Sequence, residues 1–116
     1  MPTEPTVADD RALVLRVLDF TRTPGPRFRI EGKHSGEEFR DDHLNPGFVK
    51  ARERSRLLIV DLDGTSGYAS SFLEEAFGGL ARLHSRDEVT ETVRIKSDSR
   101  PWYKEEVETE YIGHAG

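Results

Sequence analysis

Cysteine is absent from this chain of 116 residues, so neither a disulfide framework nor thiolate chemistry is open to it. Long apolar runs are missing too. No stretch approaches the roughly 20 residues that cross a bilayer, and no basic-then-apolar leader stands at the amino end. Hydrophobic residues make up only 34%, and another 34% are charged, so much of the surface must be solvated. Basic charge is in deficit. A net charge of −5 and an isoelectric point near 5.4 make duplex DNA a poor partner, because phosphate binding requires a basic face. The basic stretch 50–56 is interrupted by Glu53 and closes an expected helix, where cations complement the helix dipole. These absences lead to the expectation of one cytoplasmic domain with no membrane or nucleic-acid partner.

The apolar residues that are present are clustered, which argues for a folded core. Residues 1–10 carry two prolines and several acids without periodicity. They are expected to form a flexible tail, leaving 11–116 as the domain. Residues 12–20 and 27–30 read as two strands joined by a Pro/Gly turn, able to pair as a hairpin. Ser35 followed by Glu38 is a capping box that opens a helix at Gly36. Asn45-Pro46 disturbs that helix, which resumes over 47–54. Residues 57–63 have the bare aliphatic run of a central strand covered on both faces. Apolar residues at Phe72, Leu73, Ala76, Phe77, Leu80 and Leu83 form a helical stripe over 71–84. Gly78 and Gly79 inside it point to close packing on the sheet. Ser85 opens an acidic turn, 92–97 reads as a strand, and Asp98 or Ser99 caps a last helix with Pro101 in its first turn. The expected class is α/β in the order ββαβαβα: a mixed β-sheet of about four strands packed against helices on one side.

The chemistry-bearing residues are few. His34, His43, His84 and His114 show no metal-ligand spacing, so no metal site and no cofactor are expected. Glu74 and Glu75 are neighbours on a helix and point about 100° apart, which makes them solvated charge near a helix start rather than a catalytic pair. Asp61-Leu62-Asp63-Gly64-Thr65, following the apolar strand, resembles the DxDGT signature of haloacid-dehalogenase-like phosphohydrolases. That resemblance implies Asp61 as nucleophile, Asp63 as general acid/base and a Mg²⁺ ion. The downstream Ser/Thr, Lys and acid pair of such sites do not follow in 66–116. Without them, Asp63-Gly64 is a strand-ending turn and Asp61 a polar residue on a strand.

A longer match covers the same segment. Ser35-Gly36-Glu37-Glu38-Phe39-Arg40, Val60 to Gly64, and Ser70-Ser71-Phe72-Leu73-Glu74-Glu75-Ala76-Phe77-Gly78-Gly79-Leu80 together resemble the STAS-like domains related to anti-sigma factor antagonists. The resemblance implies a non-catalytic interaction and regulatory module with no catalytic residues. Its partner would be an ATP-binding kinase or anti-sigma-like protein of the histidine-kinase ATPase fold. By the same resemblance Ser71, with Ser70 beside it, is the candidate phosphoacceptor, although Ala69 stands where an acid precedes the serine pair and Phe72 replaces a glycine. Free N–H groups at a helix start suit a phosphate, and its charge on a docking face would act as a switch. Thr65, Ser66, Tyr68, Phe72, Glu74 and Glu75 are the candidate partner-binding residues. The competing structural reading makes Ser71 a helix cap in a capping box with Glu74. An interaction protein of defence or phage origin without any phospho-switch is the remaining alternative.

Overall fold

The structure, a computed structural model, describes residues 6–9 and 12–115. Four strands, β1 (Thr6–Asp9), β2 (Ala12–Arg16), β3 (Leu57–Asp61) and β4 (Val93–Lys96), lie side by side in sequence order. β2, β3 and β4 run parallel, so three of the four strands make up the parallel part of the sheet. β1 adds antiparallel along the other edge of β2, pairing Thr6 with Val14 and Asp9 with Ala12. That pairing draws Thr6–Asp9 out of the stretch expected to be a tail. Parallel neighbours need long crossovers, and here the crossovers contain the helices.

The helices are a single turn α1 (Val17–Phe20), then α2 (36–53), α3 (70–83), α4 (Arg86–Thr92) and α5 (102–112). Ser35 caps α2 as its spacing predicts, its hydroxyl accepting from the Glu38 N–H at 3.0 Å. α2 does not break at Asn45-Pro46. Its turn Arg40–Leu44 is π-helical, and the Asn45 N–H reaches back to the Arg40 carbonyl. The widened turn ends just before Pro46, which has no N–H to donate, and the helix continues over Asn45–Glu53. π-helical turns also interrupt α3 at Glu74–Gly78 and α5 at Glu106–Ile112.

Alternation along the strands sets the layers. Leu13, Leu15, Leu58, Val60, Val93 and Ile95 are buried on the face covered by helices, against Phe39, Phe48, Phe72 and Phe77. The opposite face carries Val14, Arg16, Leu57, Ile59, Asp61, Arg94 and Lys96, of which the aliphatics are half-buried and the cations exposed. β3 is thus central but has only one face under helices, where both were expected to be covered.

Several local expectations change. Residues 27–30 form no strand, because β2 is flanked by β1 and β3 and has no edge left for a hairpin partner. The chain makes a 3₁₀ turn at Arg29–Glu31, with Ile30 95% exposed. Ser85 opens a helix, not a turn: its hydroxyl accepts from Glu88 N–H at 3.1 Å and caps α4. Asp98 and Ser99 do not cap α5, which starts after Pro101. Gly78 and Gly79 do face close neighbours, but these are the Glu74 and Arg82 side chains and the Arg40 guanidinium, not the sheet.

Candidate functional site

Open parallel sheets present their ligand-binding groups at the carboxyl ends of the strands. At that end Arg16, Asp61 and Lys96 are the last residues of β2, β3 and β4, and they fall in one cross-strand row. The Asp61 carboxylate lies between the two cations, 3.7 Å from Arg16 Nε and 3.8 Å from Lys96 Nζ. Its other oxygen accepts from the Asp63 N–H at 2.9 Å, the short-range turn that an aspartate at a strand end favours.

Asp63 holds the rim together. Its carboxylate accepts from the backbone N–H groups of Asp98 and Ser99 at 3.0 and 3.1 Å, from the Ser99 hydroxyl at 2.9 Å, and from Lys96 Nζ at 3.1 Å. Lys96 also bonds Asp98 at 3.0 Å, so one ammonium gathers three carboxylates. Asp98 or Ser99 was expected to cap the last helix, but the N–H groups of both donate to Asp63 here. Gly64 follows at φ +94, a left-handed turn that any Cβ would drive to 2.8 Å from Leu18 of α1.

Burial pushes the Asp63 carboxyl up, but the four donors more than reverse that and hold it well below the usual carboxylate range. A depressed carboxyl contributes stability that is full above its unfolded-state value and is lost as pH falls toward its folded-state value. Urea midpoints of the wild-type protein should therefore drop as pH is lowered below about 4. Asp63→Asn should be less stable at neutral pH and show a flatter acid slope. Parallel acid slopes for the two proteins would contradict this assignment.

The loop 62–69 leads from this rim to α3. The Ser66 N–H donates to the Arg22 carbonyl at 2.8 Å, and the Ser66 side chain is exposed. Thr65 is buried, its hydroxyl beside the Tyr68 phenol. Tyr68 is tied at both ends: its phenol donates to the Leu62 carbonyl at 2.9 Å, and its N–H donates to the Tyr103 hydroxyl at 3.2 Å. Burial raises the Tyr68 pKa well above the usual phenol range.

α3 begins after Ala69, which is the N-cap and supplies no side-chain bond. Ser70 and Ser71 are the first two helical residues, Ser70 exposed and Ser71 half-buried. Ser71 therefore does not cap the helix, and Glu74 does not complete a box with it. Glu74 is bonded by Arg27 and Arg82, and Glu75 by Arg40 at 2.5 Å. The Arg82 hydrogen bond, assisted by Arg27 and opposed by partial burial, lowers the Glu74 pKa. The Ser70 hydroxyl lies against Tyr111, whose phenol is pushed up to about 12 by burial and by the Glu106 carboxylate.

Among the candidate docking residues, Ser66 and Ser70 are exposed, Ser71 is half-buried, and Glu74 and Glu75 are held by arginines. Phe72 leaves this set, since its side chain is 0% exposed in the core. Its place on the apolar stripe of α3 is what decides that. Arg16, Lys96, Arg27 and Arg40 are the residues that sequence reasoning missed. Arg16 lies inside the stretch 12–20 that was expected to be one strand, of which 17–20 form α1 instead, and Lys96 lies one residue short of the end expected for 92–97; Arg27 and Arg40 had no local signal.

A cleft of about 660 Å³ opens at the other end of the sheet, lined by Arg52, Arg54, Arg56, Leu57 and Glu91. There Arg52 bonds Glu88, Glu91 and Thr92, so part of the basic stretch 50–56 fastens α2 to α4. Among the described residues no group of three or more His, Cys, Asp or Glu is placed to hold a metal. No helix of the described residues is long and apolar enough to cross a membrane.

Comparison with curated proteins and with solved structures returns no match. Residues 35–101, more than half of the chain, match the family model of a STAS-like domain of unknown function, and the chain belongs to that family.

Proposed function

We propose that this domain is a non-catalytic, cytoplasmic interaction module that docks a protein partner through the loop 65–69 and the first turn of α3. The observation that carries the reading is the start of α3. Ala69 contributes no cap, so the first-turn N–H groups lack a side-chain acceptor while Ser70 is exposed beside them. A phosphate on Ser71 or Ser70 would add a charge of about −1.5 to −2 at the positive end of a helix dipole. The same charge would repel an acidic partner. By family likeness the partner is an ATP-binding kinase or anti-sigma-like protein of the histidine-kinase ATPase fold.

The hydrolase reading of Asp61-Leu62-Asp63-Gly64-Thr65 has less support. A general acid/base needs a carboxyl that exchanges its proton near neutral pH, and Asp63 is held far below that by four donors.

The test is incubation with candidate ATPase-type kinases, read by intact mass and by binding of the same proteins to wild type, Ser70→Ala, Ser71→Ala and Ser71→Glu. A single-phosphate mass shift is expected, lost in one alanine variant, with weakened binding by Ser71→Glu. No mass shift, together with unchanged binding by Ser71→Glu, removes the switch. If Ser66→Arg also leaves binding unchanged, the docking surface is wrong. Turnover of a generic phosphate ester that disappears in Asp61→Asn would overturn the non-catalytic reading.

A further inference from the structure

The outer edge of β4 is closed group by group. Arg94 and Lys96 face β3 in the ladder, the Lys96 carbonyl accepting from the Leu62 N–H at 2.8 Å. Alternation then turns the backbone groups of Val93 and Ile95 outward. The Val93 N–H donates to the Val89 carbonyl at the end of α4, and the Val93 carbonyl accepts from the Arg94 guanidinium at 3.0 Å. The Ile95 N–H donates to Glu108 Oε2 at 3.0 Å, and the Ile95 carbonyl accepts from Lys104 Nζ at 3.1 Å. Lys104 and Glu108, one turn apart on α5, bond each other at 2.9 Å.

Val93 is served by its own neighbourhood in the chain. Ile95 is served by two side chains that remain 48% and 33% exposed. These can swing away from the strand, as can the Arg94 guanidinium on the Val93 carbonyl, whereas the backbone partner of the Val93 N–H cannot. A cavity of about 190 Å³ lined by Thr90, Val93, Arg94, Glu108 and Ile112 lies beside them, so the space alongside the strand is not filled by apolar packing.

We propose that the Lys104–Glu108 pair is a guard that keeps β4 from pairing with β4 of a second copy of this chain. An uncovered edge strand is a template for another strand. The guard offers Ile95 one acceptor and one donor. In an antiparallel ladder, a hydrogen-bonded residue pair exchanges that same set. Ile95 of a second copy, related by a two-fold axis, therefore supplies what Glu108 and Lys104 supply now. A symmetric contact of this kind closes on itself as a dimer, with the two sheets continuous across the axis.

The test reads sedimentation mass against concentration for wild type, Lys104→Ala/Glu108→Ala and Glu108→Gln, with Ile95 amide exchange followed by NMR. The double variant should rise with concentration toward twice the 13.2 kDa chain mass, by an added step absent from the wild type. Glu108→Gln keeps an acceptor oxygen and should match the wild type. In dilute samples the Ile95 amide should be protected in the wild type and exchange about tenfold faster in the double variant, the value of one lost hydrogen bond. At high concentration that protection should return. A folded double variant that keeps the wild-type mass throughout overturns the proposal. So does a wild-type Ile95 amide without protection. A double variant that fails to fold also overturns it, because the pair is then structural and not a guard.

Discussion

Phe72→Ala should lower the free energy of unfolding by about 3–5 kcal/mol, the range for emptying a fully buried phenylalanine site. The ring is stacked against Phe39 at 6.0 Å between centroids and meets Tyr68 at 5.6 Å. It therefore joins α2, α3 and the loop that carries the candidate docking residues. Collapse of the neighbours into the space is limited, because Phe39 is itself pinned against Phe77 and Phe20. The check is urea denaturation at neutral pH, with the midpoint falling and the slope unchanged. A loss under about 1 kcal/mol would mean that the site repacks or that the ring is not in the core. Partner binding by the variant should weaken through disorder of the loop, not through a lost contact.

Gly36→Ala should be nearly as damaging, by about 2–3 kcal/mol. A Cβ at this position would sit 2.5 Å from the Phe72 carbonyl oxygen and 3.1 Å from the Phe72 Cα. The obstacle is backbone in the first turn of α3, so it cannot rotate out of the way as a side chain would. Alanine's better helix propensity returns at most about 1 kcal/mol and less at a helix end. Relief requires α2 and α3 to part where Ser70 and Ser71 begin the helix. The variant should therefore lose partner affinity as well as thermal stability. Equal or higher stability than the wild type would show that the helices have slack at this crossing.

The sequence made those parts legible whose causes are local. The Ser35–Glu38 spacing placed the start of α2 because a capping box involves only residues three apart. The run from Leu57 to Asp61 announced the central strand by its aliphatics, and the stripe Phe72, Leu73, Ala76, Phe77, Leu80 announced α3. Errors arose where a distant partner decides. Phe28 and Ile30 alternate as a strand would, yet no sheet edge is left for them. Pro46 should end a helix, but a widened turn ends just before it and the helix continues. π-helical turns also shift the phase of the apolar pattern, which a fixed period of 3.6 cannot follow.

The site was half legible for the same reason. The serines at the head of α3 and the aspartates at the end of β3 stand out in the chain. What they do depends on residues far away in sequence. Asp63 reads as half of a catalytic pair until Lys96, Asp98 and Ser99 are seen to occupy it. Ser71 with Glu74 reads as a cap until Arg27 and Arg82 are seen to hold the glutamate.

The parallel order of β2, β3 and β4 bears on how the molecule comes to be made. Ala12 pairs with Leu57, and Leu58 with Val93, so no hydrogen bond of this three-stranded core can form between chain neighbours. Each pairing waits until an intervening helical segment has folded back, and loop-closure entropy is spent before the ladder returns anything. Such topologies reach the native state more slowly than helical bundles of equal length. β4 emerges last from the ribosome and completes the sheet. Until it arrives, one side of β3 is an open ladder, and the nascent chain is then most exposed to mispairing.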